Sequence, residues 1–63
     1  MRVNGKIVDY EQISVQEYLL RHEYNPLRVV VERNKEIITR DRFSATALLP
    51  DDEINILHFM GGG

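Results

Sequence analysis

A helix start in this chain is followed closely by a helix stop, and that pairing limits what the chain can fold into. Ser14-Val15-Gln16-Glu17 reads as a capping box, in which Ser14 accepts from the backbone at Glu17 and the Glu17 carboxylate reaches back to the Ser14 amide. Ile13 before the cap and Tyr18 inside the first turn stand at hydrophobic-staple spacing. Val15, Tyr18, Leu19 and His22 fall on one face at i, i+3, i+4 and i+7. Pro26 disfavours helical geometry in the residue before it, so the helix must end by Tyr24 or Asn25. A helix of little more than two turns is not stable alone in water, and it has to lie across a sheet.

The strands for that sheet can be read on both sides of the helix. Asn4-Gly5, between Met1-Arg2-Val3 and Lys6-Ile7-Val8, is the dipeptide best suited to a two-residue type I′ hairpin turn. That register puts Met1, Val3 and Val8 on one face and Ile7 on the other. Leu27 to Glu32 and Glu36 to Thr39 carry strand signals and are joined by the polar turn Arg33-Asn34-Lys35, which predicts a second hairpin. Arg40 to Pro50 reads as irregular, with Phe43, Leu48 and Leu49 anchoring it to the core and Pro50-Asp51-Asp52 turning into a last strand. In that strand, over Ile54 to Met60, Ile54, Ile56 and His58 alternate with Asn55, Leu57 and Phe59. The order is ββαβββ, an α+β domain with one main helix packed on one sheet.

Composition narrows the function classes. With 63 residues the chain makes one domain, and a domain of that size buries only about 60% of its unfolded surface, which leaves no room for an enclosed catalytic cleft. The absence of cysteine removes disulfides, thiolate metal sites and a thiol nucleophile. A net charge of −2 provides no global field for nucleic acid or an anionic membrane surface. No apolar run is long enough to span a bilayer, and the first residues lack the apolar core of a signal peptide, so a cytoplasmic protein is expected, with neither a nucleic-acid nor a membrane partner.

The last three residues, Gly61, Gly62 and Gly63, follow the final strand directly. Glycine has no Cβ, so a partner's backbone can close around such a tail where a side chain would clash. Glycine runs also serve as plain linkers, and composition alone leaves that reading open. Residues 60–63, read as a flexible tail on a single domain spanning 1–63, would reach about 13 Å when extended, enough to leave the body and enter a pocket. Ordering them costs roughly 1–2 kcal/mol per residue, so the folded body has to supply docking energy. Leu57 and Phe59, with Met60 at the root of the tail, are the candidate interface, because alternation points the first two away from Ile54 and Ile56. Completion of a two-sided core is the alternative for both.

Val3-Asn4-Gly5, the short capped helix, Val29 to Asn34, the run Leu49-Pro50-Asp51-Asp52-Glu53-Ile54 and the terminal Gly-Gly together resemble the thiamine-biosynthesis sulfur carriers, the ThiS family, along the whole chain. The resemblance implies a ubiquitin-like β-grasp fold, a mixed sheet around one helix with the first and last strands parallel. It also implies a carrier cycle at Gly63, threaded through Gly61 and Gly62. A separate adenylating enzyme would activate the Gly63 carboxylate with ATP and magnesium. A sulfur donor, ultimately a cysteine desulfurase persulfide, would displace AMP and leave a thiocarboxylate. Thiazole synthase would then take that sulfur for the thiazole ring. The protein would be a co-substrate rather than an enzyme, with no permanently bound cofactor.

Other constellations point to structural roles. His22 and His58, the only histidines, have no thiolate or carboxylate pair at a metal-ligand spacing. Ser14 is a cap, Ser44 lacks a His or Asp at a motif spacing, and Asp51-Asp52-Glu53 reads as a solvated turn without a calcium-loop pattern. Arg33, Lys35, Arg40 and Arg42 are interrupted by Glu36 and Asp41, as on a mixed-charge surface. Three alternatives stay open at this level: a molybdopterin synthase small subunit with the same thiocarboxylate chemistry, a ubiquitin-like modifier joined through Gly63 to a lysine, and a non-catalytic binding module with inert glycines.

Overall fold

The protein is seen in a computed structural model that describes residues 1–59. The first hairpin forms as the Asn-Gly pair dictates. β1 (Arg2–Val3) and β2 (Lys6–Ile7) pair antiparallel with Val3 opposite Lys6. Asn4 (φ 51°) and Gly5 (φ 82°) supply the two positive φ angles of a type I′ turn. Val3 is buried, Met1 and Val8 pack against the core, and Ile7 is exposed, as the register requires.

A strand absent from the sequence reading follows, β3 (Ile13–Ser14), and it leads straight into α1 (Val15–Arg21). Ser14 caps the helix, accepting from the Glu17 amide at 3.0 Å. The other half of the expected capping box is replaced: the Glu17 carboxylate lies 2.9 Å from Arg21, one turn along an exposed face. The helix is shorter than expected. It closes at His22 in a Schellman motif, with the Tyr24 amide on the Leu19 carbonyl (2.8 Å), the Glu23 amide on that of Leu20 (3.3 Å) and Glu23 in the left-handed region at φ 63°. Val15, Tyr18 and Leu19 are buried, whereas His22 is exposed and stacks on the Tyr18 ring at 4.2 Å. The Tyr10 hydroxyl meets His22 Nε2 at 2.9 Å and ties the segment after β2 to the end of the helix. Burial, then the nearby Tyr24 and Tyr10, push the Tyr18 phenol above its ordinary value.

The next strand does not begin at Leu27 as expected. Pro26–Arg28 forms a short 3-10 turn capped by Asn25, and β4 (Val29–Arg33) starts after it. β5 (Glu36–Ile38) pairs antiparallel with β4, Arg33 opposite Glu36, through a two-residue turn in which Asn34 (φ 52°) and Lys35 (φ 71°) both adopt positive φ. The stretch expected to be irregular holds a 3-10 turn at Arg40–Arg42 and a two-residue strand, β6 (Ala47–Leu48), which pairs with β3 in a separate small sheet. Phe43 and Leu48 anchor it, each 1% exposed, but Leu49 points outward into the next turn. Arg33, grouped from sequence with the surface cations, is half-buried and donates to the Ala47 carbonyl at 3.1 Å.

β7 (Glu53–His58) begins one residue before the expected strand and, among the described residues, ends at His58 with Phe59 outside it, and it runs through the middle of the main sheet, whose order is β2-β1-β7-β4-β5. It is parallel to β1 and antiparallel to β4, the mixed arrangement of a β-grasp fold. Its Ile54 and Ile56 face α1 together with Val3, Val29 and Val31, and with Ile13, Val15, Tyr18, Leu19, Phe43 and Leu48 they form one buried core.

Candidate functional site

The residues singled out for function lie on or beyond β7. Gly61, Gly62 and Gly63, and Met60 of the expected interface, are outside the described residues. Leu57 and Phe59 are described, and the structure decides between a core role and exposure. They are 57% and 54% exposed, on the sheet face turned away from α1. Strand alternation puts them there because Ile54 and Ile56 occupy the inner face.

Register shows what else shares that outer face. Val30, half-buried, stands directly opposite Leu57, and Ile37, also exposed, stands opposite Glu32, which in turn faces Asn55. The Phe59 amide donates to the Arg28 carbonyl at 2.8 Å, so the last described residue is still held by the body. The result is an apolar patch of Leu57, Phe59, Val30 and Ile37 with Arg28, Glu32 and Asn55 among it, at the point where β7 hands over to the glycine run. Ile37 was missed from sequence, although pairing Glu36-Ile37-Ile38 by strict alternation would have turned it outward.

Side chains hold β7 at its start and midway along it. At its start, Asp52 accepts from the Leu49 amide (2.9 Å) and from the Asn34 side chain (3.1 Å), and Asn34 Oδ1 accepts from the Glu53 amide (3.0 Å). Asp52 was expected to be one of three solvated carboxylates; it is instead the knot between two turns. Further along, Asn4 Oδ1 accepts the Ile56 amide at 2.7 Å. Among the described residues no three His, Cys, Asp or Glu side chains gather as a metal site, and no helix is long and apolar enough to cross a membrane.

One helix held by a mixed sheet, with a central last strand leading into three glycines, defines a small ubiquitin-like β-grasp protein. The chain belongs to the ThiS family, whose sequence profile matches residues 1–63. It is 38% identical to the sulfur carrier protein ThiS of Bacillus subtilis over 65 residues, all of this chain and 98% of that one. A crystal structure of the thiamine biosynthesis protein ThiS from Geobacter metallireducens superposes with a TM-score of 0.80 at 39% identity, covering 98% of this chain and 96% of that one. The chain is also 45% identical, over its whole length, to part of a thiazole synthase of Magnetococcus marinus, of which it spans 20%.

Proposed function

We propose that sulfur travels on the carboxyl group of Gly63. As a ThiS-family member the chain is a sulfur carrier of thiamine biosynthesis and is not itself a catalyst. The finer steps are the following. A partner enzyme transfers AMP from ATP, with magnesium, to the Gly63 carboxylate, releasing pyrophosphate. The step is needed because oxide is a poor leaving group and AMP is a good one. The outer sulfur of a cysteine desulfurase persulfide attacks the acyl carbon and AMP departs, leaving an acyl disulfide. A second thiol on a partner enzyme cleaves its S–S bond, forms a disulfide with the donor cysteine and releases the thiocarboxylate. The resulting thiocarboxylate is an anionic sulfur nucleophile, so a protein without cysteine can deliver sulfur. Thiazole synthase is the acceptor enzyme, a reading supported by the Magnetococcus thiazole synthase, which carries a segment like this chain within one polypeptide. In this reading the cycle, which draws on ATP and a desulfurase, runs in the cytoplasm.

Within this reading Gly61 and Gly62 thread a narrow channel that a Cβ would obstruct. Their ordering cost is offset by the apolar patch at the tail root, Leu57 and Phe59 with Met60, where the partner docks. The observation that carries the function is the match of the entire chain, from its first hairpin to its terminal Gly62-Gly63, to a family with a named sulfur carrier.

The test is the intact mass of the protein after incubation with ATP, magnesium, sulfide and the adenylating enzyme, followed by fragmentation. The expected result is an ATP-dependent exchange of one oxygen for sulfur confined to Gly63. Fragmentation is essential, since oxidation of Met1 or Met60 adds nearly the same mass. An unmodified Gly63 after treatment with an adenylating enzyme of proven activity would overturn the reading.

A further inference from the structure

β7 is the central strand of the sheet, yet half of one side is bare. β1 pairs with it only at Glu53 and Ile54 before the chain turns away at Asn4-Gly5. Asn4 Oδ1 takes the Ile56 amide and ends the ladder on that side. Backbone groups alternate sides along a strand. The Ile56 amide points toward β1 and the Phe59 amide toward Arg28 on the β4 side, so the Ile56 carbonyl and the amide and carbonyl of His58 point toward the side that β1 has left. Among the described residues β1 is the strand next to β7 there, and none replaces it beyond Asn4.

Proteins ordinarily blunt a bare edge with lysine, proline, a bulge or a covering loop. Ile56-Leu57-His58-Phe59 has neither lysine nor proline. We infer that this open edge receives an extended segment of thiazole synthase, which pairs with the Ile56 carbonyl and the His58 amide and carbonyl as an added strand. The inference rests on the partner named above, and the long Magnetococcus chain that unites a segment like this one with a thiazole synthase argues for that occupant. Pairing here would do what the glycines cannot. It fixes the direction in which the chain leaves the body, because residue 59 continues the line of the paired edge, and it does so through backbone atoms close to the Leu57 and Phe59 patch.

His58→Pro isolates the edge. It deletes the amide on the bare side, while the ladder bonds to β4 run through the neighbouring residues. His58→Ala keeps the amide and removes the imidazole. With purified thiazole synthase, H58P is expected to bind at least fivefold more weakly than the unaltered chain and H58A equally well. Equal binding by H58P, or equal weakening by both variants, overturns the edge pairing and leaves the carrier reading intact. Failure of the unaltered chain to bind overturns the pairing and the assignment of this partner together, whereas sulfur loading at Gly63 tests the carrier cycle separately. Should H58P fail to fold, hydrogen exchange on the unaltered chain decides. Protection of the His58 amide only in the complex supports the inference, and unchanged exchange sinks it. A free protein that sediments as a dimer with that amide protected assigns the edge to a second copy and also overturns it.

Discussion

Asn4 and Asn34 hold equivalent places in two hairpins, and each serves a second purpose. Both are the first residue of a two-residue turn with positive φ, a conformation that asparagine tolerates better than most side chains. Each then turns its Oδ1 to a backbone amide of β7, Asn4 to Ile56 and Asn34 to Glu53, so the central strand is gripped from both neighbours. The turn at Asn4-Gly5 was legible in the sequence because its cause is local. The bond to Ile56, 52 positions away, was not, since nothing in the dipeptide records where the last strand will lie. Asp52 was misread as solvated for a related reason: its bond to the Leu49 amide lies within the local turn, but Asn34, 18 positions away, reaches it only once the fold has formed. Replacing Asn4 separates the two purposes. Asn4→Gly keeps the turn geometry but leaves the Ile56 amide without its acceptor, and should cost about 1–2 kcal/mol, lowering Tm by roughly 5–10 °C. Asn4→Asp retains an acceptor and should lose less than half as much; thermal melts of the two variants by circular dichroism check both values.

At the level of elements, the helix shows what a one-dimensional pattern can and cannot fix. Its start is set by Ser14 and its buried face by Val15, Tyr18 and Leu19, all read from spacing. Its end is not set by Pro26 alone. The chain leaves the helix three residues before Asn25 in a Schellman motif, and the residue in the left-handed position is Glu23, where glycine is the usual occupant. A glutamate there gives no warning in the sequence. Glu23→Gly should relieve the Cβ clash and raise stability by about 0.5–1 kcal/mol, a Tm gain of roughly 3–6 °C measurable by calorimetry. β3 and β6 escaped notice for a different reason. Two-residue strands carry no alternation to detect, and they exist because the chain entering α1 at Ile13 meets the segment carrying Leu48 across the core.

For the molecule as a whole, the sheet divides the apolar residues into two sets. The inner set forms the core, and the outer set, Leu57, Phe59, Val30 and Ile37, is left largely to solvent. Alternation in β7 gave the correct sides for Ile54, Ile56, Leu57 and Phe59 from sequence, but whether a second layer covered the outer side depended on the whole topology. Because no element among the described residues packs on that side, Phe59→Ser should change Tm by no more than a few degrees while weakening binding to the adenylating enzyme or thiazole synthase by tenfold or more. Titration calorimetry beside a thermal melt separates the two effects, and a variant that unfolds would assign Phe59 to the fold instead.

The placement of β7 also bears on what happens when the chain's end is pulled. A strand at the margin of a sheet peels away one hydrogen bond at a time. β7 lies between a parallel and an antiparallel neighbour, with asparagine bonds at Glu53 and Ile56, so tension applied beyond Phe59 runs along the strand and loads these bonds together in shear. A body held in this way would stay intact if its terminus were drawn through a tight cleft, and it would resist any unfolding machine that grips it from that end.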